Sequence, residues 1–403
     1  MRSGMRFRPP AVEFTPEVRW ALLRAFGPRE SVLDQGIDPE GAIGVAGSLD
    51  LSARIAARTP LIALQAELGE AGARSLLIAG VMAAAISAEL LKCARVVAEA
   101  AAELAIPVAF LKGVALRLGG VVAEGSRWLS DVDVLAPASS ARGLAEALVA
   151  RGFRVADVPS EEQHLPPLMR GNAEMVEVHD VLHGVRLAAR RRYATFEELQ
   201  ERDLLAPLPG LPGACFMPAR EVLVAHTLVH GVAVHGLAPL AYPLPRMLAD
   251  LVDLGATGPD GGEALEAAHR WIAKDVSREE ADATRALCVA LAEGDEGLFA
   301  RQAAERPEAV LLRHIVAGRL DERYRSALKA SAPWAVPTGR ARPLAFATTA
   351  FHTVFLTRGQ VDMIYGRPRT ELGYLGRRLA RPFDLAWRLV RYTASAIRLR
   401  SQR

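Results

Sequence analysis

Lysine is nearly missing from this chain. Of 49 basic residues only four are lysines, Lys92, Lys112, Lys274 and Lys329, so each one stands out against an arginine background. Cysteine is as scarce. Cys93, Cys215 and Cys288 are isolated and odd in number, which excludes a disulfide framework or a CxxC zinc knuckle and fits a reducing, cytoplasmic compartment. No uncharged apolar run reaches the roughly 20 residues of a membrane span. The longest, residues 76–88, stops at Glu89 and reads as a buried helix. The first ten residues carry positive charge with no apolar run behind it, so no secretory signal is expected. There is no GxSxG elbow, no GxxxxGK[ST] loop and no GxGxxG fingerprint, which excludes α/β-hydrolase, P-loop and Rossmann chemistry.

What is present is a globular composition, 51% hydrophobic and 24% charged over 403 residues, with room for two or three domains. The net charge of +3 is too small for wholesale attraction to nucleic acid, which is not an expected partner. The charge is unevenly spread: ten arginines lie between 367 and 403 against only Glu371 and Asp384.

Along the chain, Thr15 and Pro16 before Glu17 read as a helix start, with Trp20, Leu22, Leu23 and Phe26 as its apolar face. Residues 36–47 read as loop, and helical patterning returns over 49–68. A long helix over 76–104 leads into a buried strand at 106–111, then a short helix at 114–118. Asp131-Val132-Asp133-Val134-Leu135 alternates like a half-buried strand. A helix follows through Ala150, then a strand from Phe153. From Glu174 the alternation returns, with Met175, Glu177 and His179 on one face and Val176 and Val178 on the other. The Pro/Gly-rich residues 206–213 read as a linker, and everything after them as helical.

Two carboxylates two residues apart on a strand share a face, about 6–7 Å apart. Their repulsion is removed by a divalent cation, and hard oxygen donors suit Mg²⁺. Asp131 and Asp133 are therefore the candidate metal ligands. Glu177 is the candidate third carboxylate, able to bind metal and take a proton; Glu174 faces the other way. Lys112 and Gly113 sit where a strand turns into a helix, a place that suits phosphate. Arg127 and Ser130 add a planar cation and a hydroxyl just before the aspartates. His179 would orient Glu177, touch substrate, or serve structure alone.

The series Leu111-Lys112-Gly113, Arg127-Trp128-Leu129-Ser130-Asp131-Val132-Asp133-Val134-Leu135 and Val176-Glu177-Val178-His179 resembles the DNA polymerase beta-like nucleotidyltransferase superfamily. The likeness is greatest to a bacterial branch with an LKG, R…DxDxL, ExH pattern. It covers residues 105–193 well and extends loosely to His226, His230, His235 and Asp250. The resemblance implies an α+β fold, a small mixed-sheet nucleotidyltransferase core flanked by helical regions. The expected division is 1–75 helical, 76–205 core, 214–330 helical and 331–403 a basic helical region.

It further implies a two-metal Mg²⁺ site on Asp131, Asp133 and Glu177, with Lys112, Gly113, Arg127 and Ser130 around a nucleoside triphosphate, ATP by default. The activity implied is transfer of a nucleoside monophosphate to a hydroxyl of a small molecule or protein. A nucleotide-sensing protein of the same fold and a kinase-like phosphotransferase are the alternatives. Lys-Gly stands where many members have Gly-Ser or Gly-Gly, so the phosphate contacts are this chain's own.

His226 and His230 have zinc-like spacing, but Thr227 follows His226 where HExxH has glutamate, so metal is not expected there. The arginine-rich C-terminus, with Phe383, Leu385, Trp387, Leu389, Val390 and Ile397 between its arginines, could bind an anionic membrane or a polynucleotide. A terminal helix docked by its apolar side is the favoured reading.

Overall fold

The computed structural model describes residues 12, 14–28, 36–156, 165–171, 174–187, 193–230, 245–255, 257, 261–272, 276, 278–300, 306–331, 361, 368 and 370–401. The first eleven residues and His235 lie outside them.

Helix α1 (Pro16–Phe26) begins at its expected cap: Val18 N–H donates to Thr15 Oγ1 at 3.4 Å, with Pro16 in the first turn. Trp20, Leu22, Leu23 and Phe26 are all buried. Residues 36–47, read as loop from their glycines, instead contain helix α2 (Pro39–Ser48). Asp38 caps it by accepting from Gly41 N–H at 2.9 Å, and Pro39 pre-sets the first turn. A good cap and a packed neighbour, α1, outweigh the low helix propensity of glycine. Helix α3 (Ser52–Arg58) follows, its Arg54 gripping Asp253 with two hydrogen bonds of 2.6 and 2.8 Å.

Helix α4 (Leu61–Glu103) is bent at Gly69, whose φ of 71 is left-handed. Its end buries Leu90, Cys93, Ala94, Val97 and Ala98 against the sheet. The stretch read as buried is only partly so: Ile78, Val81 and Met82 are exposed. The small sheet covers one end of the helix and stops short of its middle. By length and composition α4 is apolar enough to cross a membrane, its most apolar window being 28% buried.

The sheet is mixed and seven-stranded, in the order β3-β4-β5-β2-β1-β7-β6. Its strands are β1 (Val108–Phe110), β2 (Val132–Leu135), β3 (Arg154–Val155), β4 (Leu168–Arg170), β5 (Glu174–His179), β6 (Leu205–Pro207) and β7 (Cys215–Pro218). Helix α5 (Lys112–Leu118) leaves β1 directly, and α6 (Ala141–Ala150) follows β2. Together these elements make an α+β fold. Strand alternation sorts the faces: Val108, Phe110, Val132, Val134, Val176 and Val178 join the core made with α4 and α6. Each such side chain stabilises the fold by about 1.5–3 kcal/mol of burial. Asp133, Glu177 and His179, at the alternate positions, project from the other face.

Residues 206–213 are not a tether between bodies. They finish β6 and form the bend of a hairpin whose second strand, β7, pairs in parallel with β1 through Val108–Cys215 and Ala109–Phe216. Proline and glycine serve the turn and edge positions, and strands of three and four residues are too short to show alternation. Beyond the hairpin the chain is helical among the described residues: α8 (Arg220–Val229), α9 (Pro245–Asp253), α10 (Gly261–Ile272), α11 (Arg278–Glu293), α12 (Pro307–Leu320) and α13 (Glu322–Ser331). Short α7 (Phe196–Gln200) precedes the hairpin under a Thr195/Glu198 capping box. The last described helix, α14 (Glu371–Ser401), packs on α13. It does not dock by its apolar side. Phe383 and Trp387 are 78% and 63% exposed, while Arg381 is buried.

Candidate active site

Strands β2 and β5 run parallel with Asp133 opposite Glu177 and Leu135 opposite His179. Because that register fixes both faces at once, the acidic side chains of two strands 44 positions apart in sequence meet on one side of the sheet. The ligand atoms of Asp133, Glu177 and His179 all lie within 4.8 Å of one another. His179 Nε2 is 2.9 Å from Asp133 Oδ1 and 3.7 Å from Glu177 Oε2.

Lys112 enters this group from β1. Leu111 N–H donates to Asp133 C=O at 2.9 Å, and the next residue turns the chain into α5 with φ +47, a left-handed conformation rare for a side-chain-bearing residue. Such strain is tolerated where the surroundings hold it and tends to mark functional positions. Lys112 Nζ donates to Asp133 Oδ1 at 2.8 Å and lies 3.9 Å from Glu177 Oε2. The lysine that the sequence offered for phosphate thus rests among the carboxylates.

The electrostatics follow. Burial opposes the Lys112 ammonium, but Asp133, Asp131 and Glu177 outweigh it and raise its pKa. Burial likewise opposes the Asp133 carboxylate, yet Lys112 and His179 hold it well below the usual carboxylate range. For Glu177 the relief is too small: burial, then the Asp133 charge, push it up to about 8 against the opposing pull of Lys112. Asp131, just before β2, is raised by burial and then by Asp133, while Ser130 Oγ donates to its Oδ1 at 3.0 Å. Glu174, on the other side of β5, is taken by Arg170.

Arg127 and Gly113 form a neighbouring unit. Arg127 makes a two-pronged ion pair with Asp250 of α9, Nε to Oδ1 at 2.7 Å and Nη2 to Oδ2 at 2.9 Å. Burial opposes the guanidinium, but Asp250 outweighs it and raises its pKa. Gly113 lies against that guanidinium so closely that a Cβ there would fall 1.9 Å from Arg127 Nη1 and 2.6 Å from Leu129 Cδ2. The missing side chain of Gly113 makes room for Arg127. Asp250 was visible in the sequence, but a partner 123 residues away leaves no local signal.

Two further groups border the site. His226 is buried with Nδ1 3.1 Å from His183 C=O. Burial, then Lys112, lower its pKa to about 3. It stacks on His230 at 5.9 Å, and neither belongs to a cluster of three or more ligands among the described residues. Beside the 126–128 loop lies a cavity of about 190 Å³ lined by Asp50, Arg54, Arg127, Trp128, Arg246 and Asp250 among others.

No curated protein and no solved structure matches the chain. A family model does, over residues 35–275, a span that holds every strand of the sheet together with Lys112, Asp131, Asp133, Glu177 and His179. The chain therefore belongs to the family described as uncharacterised nucleotidyltransferase.

Proposed function

We propose that this protein is a Mg²⁺-dependent nucleotidyltransferase that moves a nucleoside monophosphate from a nucleoside triphosphate, ATP by default, to a hydroxyl of a small molecule or a protein. The observation that carries the reading is the parallel pairing of Asp133 with Glu177, which gathers acidic side chains around a lysine on one face of a nucleotidyltransferase-family sheet. The donor chemistry fits the ion: the ligand atoms within 4.8 Å of one another are mostly hard carboxylate oxygens. Asp133 and Glu177 would hold the metal with Asp131 beside them, and His179 would orient Asp133. When bound, divalent ions neutralise the triphosphate and the departing pyrophosphate.

The chain's own groups do the rest. Lys112 exchanges its hydrogen bond to Asp133 for one to a phosphate oxygen. Ser130 turns its hydroxyl toward the same phosphates. Arg127, bound to Asp250, positions the 127–131 segment and through it Asp131. Glu177 takes the proton of the acceptor hydroxyl as its oxygen bonds to the α-phosphorus and pyrophosphate leaves. Alignment and charge neutralisation supply most of the rate. The charged cavity beside Trp128 suits a polar acceptor. A cytoplasmic location is part of the same reading.

Incubation with ATP labelled at the α- or the γ-phosphate tests the reaction. Transfer of the α-label with release of pyrophosphate is the expected result. A γ-labelled product would replace the proposal with phosphotransfer. Mg²⁺-dependent nucleotide binding with neither label transferred to any acceptor supplied would replace it with nucleotide sensing.

A further inference from the structure

Helix α14 turns its apolar side outward. Leu372, Leu375, Leu379, Phe383, Trp387 and Val390 recur at steps of three and four, so they line one face, and Ile397 continues it. These side chains are 53–79% exposed. The positions that α14 does cover, Arg381, Asp384 and Leu385 among them, fall on the other side, and α13 is its packing neighbour. A helix on the surface of a water-bound domain would have the opposite polarity, with the leucines inside and the arginines out. A contiguous apolar strip of this length marks an interaction surface.

The charge selects the occupant. Arg377, Arg378, Arg381, Arg388, Arg391, Arg398 and Arg400 stand on α14 against Glu371 and Asp384. Seven arginines and an internal proline, Pro382, exclude a helix that crosses a bilayer. The exposed ones, Arg377, Arg378, Arg388 and Arg391, suit a helix that lies in the bilayer surface, where long basic side chains extend past the apolar strip and their heads reach lipid phosphates. A polynucleotide would use the arginines and leave the leucines, Phe383 and Trp387 in water. A second copy of the helix would cover the strip but bring two net-positive segments together. Only an anionic lipid surface satisfies both halves of the pattern.

We propose that α14 is a membrane-surface helix that holds this protein on anionic bilayers. Its apolar strip sinks into the interface between headgroups and acyl chains, and its arginines neutralise the lipid charge. The inference is independent of the reaction proposed above and places the enzyme, whatever it transfers, beside a membrane.

The test is flotation of the full-length protein with vesicles of phosphatidylcholine alone or with about 30 mol% phosphatidylglycerol, since anionic lipid strengthens binding about fivefold per nearby arginine. The protein is expected to float with the anionic vesicles, poorly with the neutral ones, and less as salt rises. Phe383→Glu with Trp387→Glu is expected to weaken binding by about a hundredfold or more. Both side chains face outward, so the melting temperature should not move. Should that variant melt early, Arg378→Glu with Arg391→Glu alters exposed charge alone and is expected to abolish the preference for phosphatidylglycerol. Absence of flotation at low salt would overturn the proposal. So would flotation unaffected by either variant, or loss through these substitutions of self-association or of poly(U) retention in a protein that ignores vesicles.

Discussion

Lys112 Nζ sits 2.8 Å from Asp133 Oδ1, so an ammonium group occupies the carboxylate cluster in which a divalent cation would be bound. The pair is nearly out of water, Asp133 being 1% exposed and Lys112 19%. It acts as a placeholder: the strand carboxylates can be folded together without metal because Lys112 balances one of them.

Replacing that placeholder has a two-sided outcome. Lys112→Met leaves Asp133 buried beside His179 without its ammonium partner, and breaking a buried pair in this way costs about 3–5 kcal/mol. The variant should melt early without divalent ions and recover in part when Mg²⁺ is added. Its nucleotide-free affinity for Mg²⁺ should rise while its affinity for nucleotide falls. Calorimetry with each ligand separately checks this. An unchanged Mg²⁺ affinity would show that lysine and metal do not share the site.

The two aspartates should divide by burial. Asp131→Asn touches a group at the strand's entrance and should leave the fold intact while lowering transfer at least about 100-fold. Asp133→Asn should abolish transfer to the same degree and also destabilise, because Lys112 and His179 both lose their anion. Rates and urea midpoints measured on both variants separate the two effects. Full activity in Asp131→Asn would remove that residue from the metal set.

Gly113 and Arg127 make a steric prediction. A methyl group at 113 would collide with Arg127 Nη1 and Leu129 Cδ2, and overpacking of this kind costs about 1–3 kcal/mol. Gly113→Ala should therefore destabilise the wild type and displace the Arg127–Asp250 pair. In an Arg127→Ala background the added cost should shrink but not vanish, since Leu129 remains. A double-mutant cycle by chemical denaturation gives the coupling. Strict additivity would mean that the two residues do not bear on each other.

His314 predicts an acid-sensitive stability. It is buried with Tyr324 Oη at its Nδ1, and burial, then Arg313, lower its pKa from 6.5 to about 4. Between those values the unfolded chain binds a proton that the folded chain refuses, so stability rises with pH in this window. The contribution is complete above pH 6.5 and is lost as pH falls toward 4, on the order of 3 kcal/mol. Denaturant midpoints at pH 7 and 4.5 should therefore differ less for His314→Gln than for the wild type. Equal losses in both would show that another group carries the acid sensitivity.

The site's acidic members were legible in the sequence because strand periodicity is local: Asp133 alternates with Val132 and Val134, Glu177 with Val176 and Val178, and each pattern declares its face alone. Their register was not legible, since it depends on which strand pairs with which. The same limit hid Asp250 from Arg127 and kept Lys112 with the phosphates, away from Asp133. Helix α2 is hidden by its glycines, since its start rests on the Asp38 cap. The sense of α14 is hidden for a different reason. A helical wheel shows that one face is apolar but contains nothing about which face the rest of the chain covers.

The hairpin that carries β7 has a consequence for how the protein is made. Strand β1 leaves the ribosome with β2 soon after it, but its other neighbour, paired at Val108–Cys215, is roughly a hundred residues behind, on the order of 5–20 s at ordinary rates of synthesis. During that interval one edge of the central strand has its amides and carbonyls bare, an invitation to pairing with a stranger. A nascent chain that stalls between β5 and the hairpin should therefore be the most aggregation-prone length of this polypeptide, although its acidic cluster is already complete.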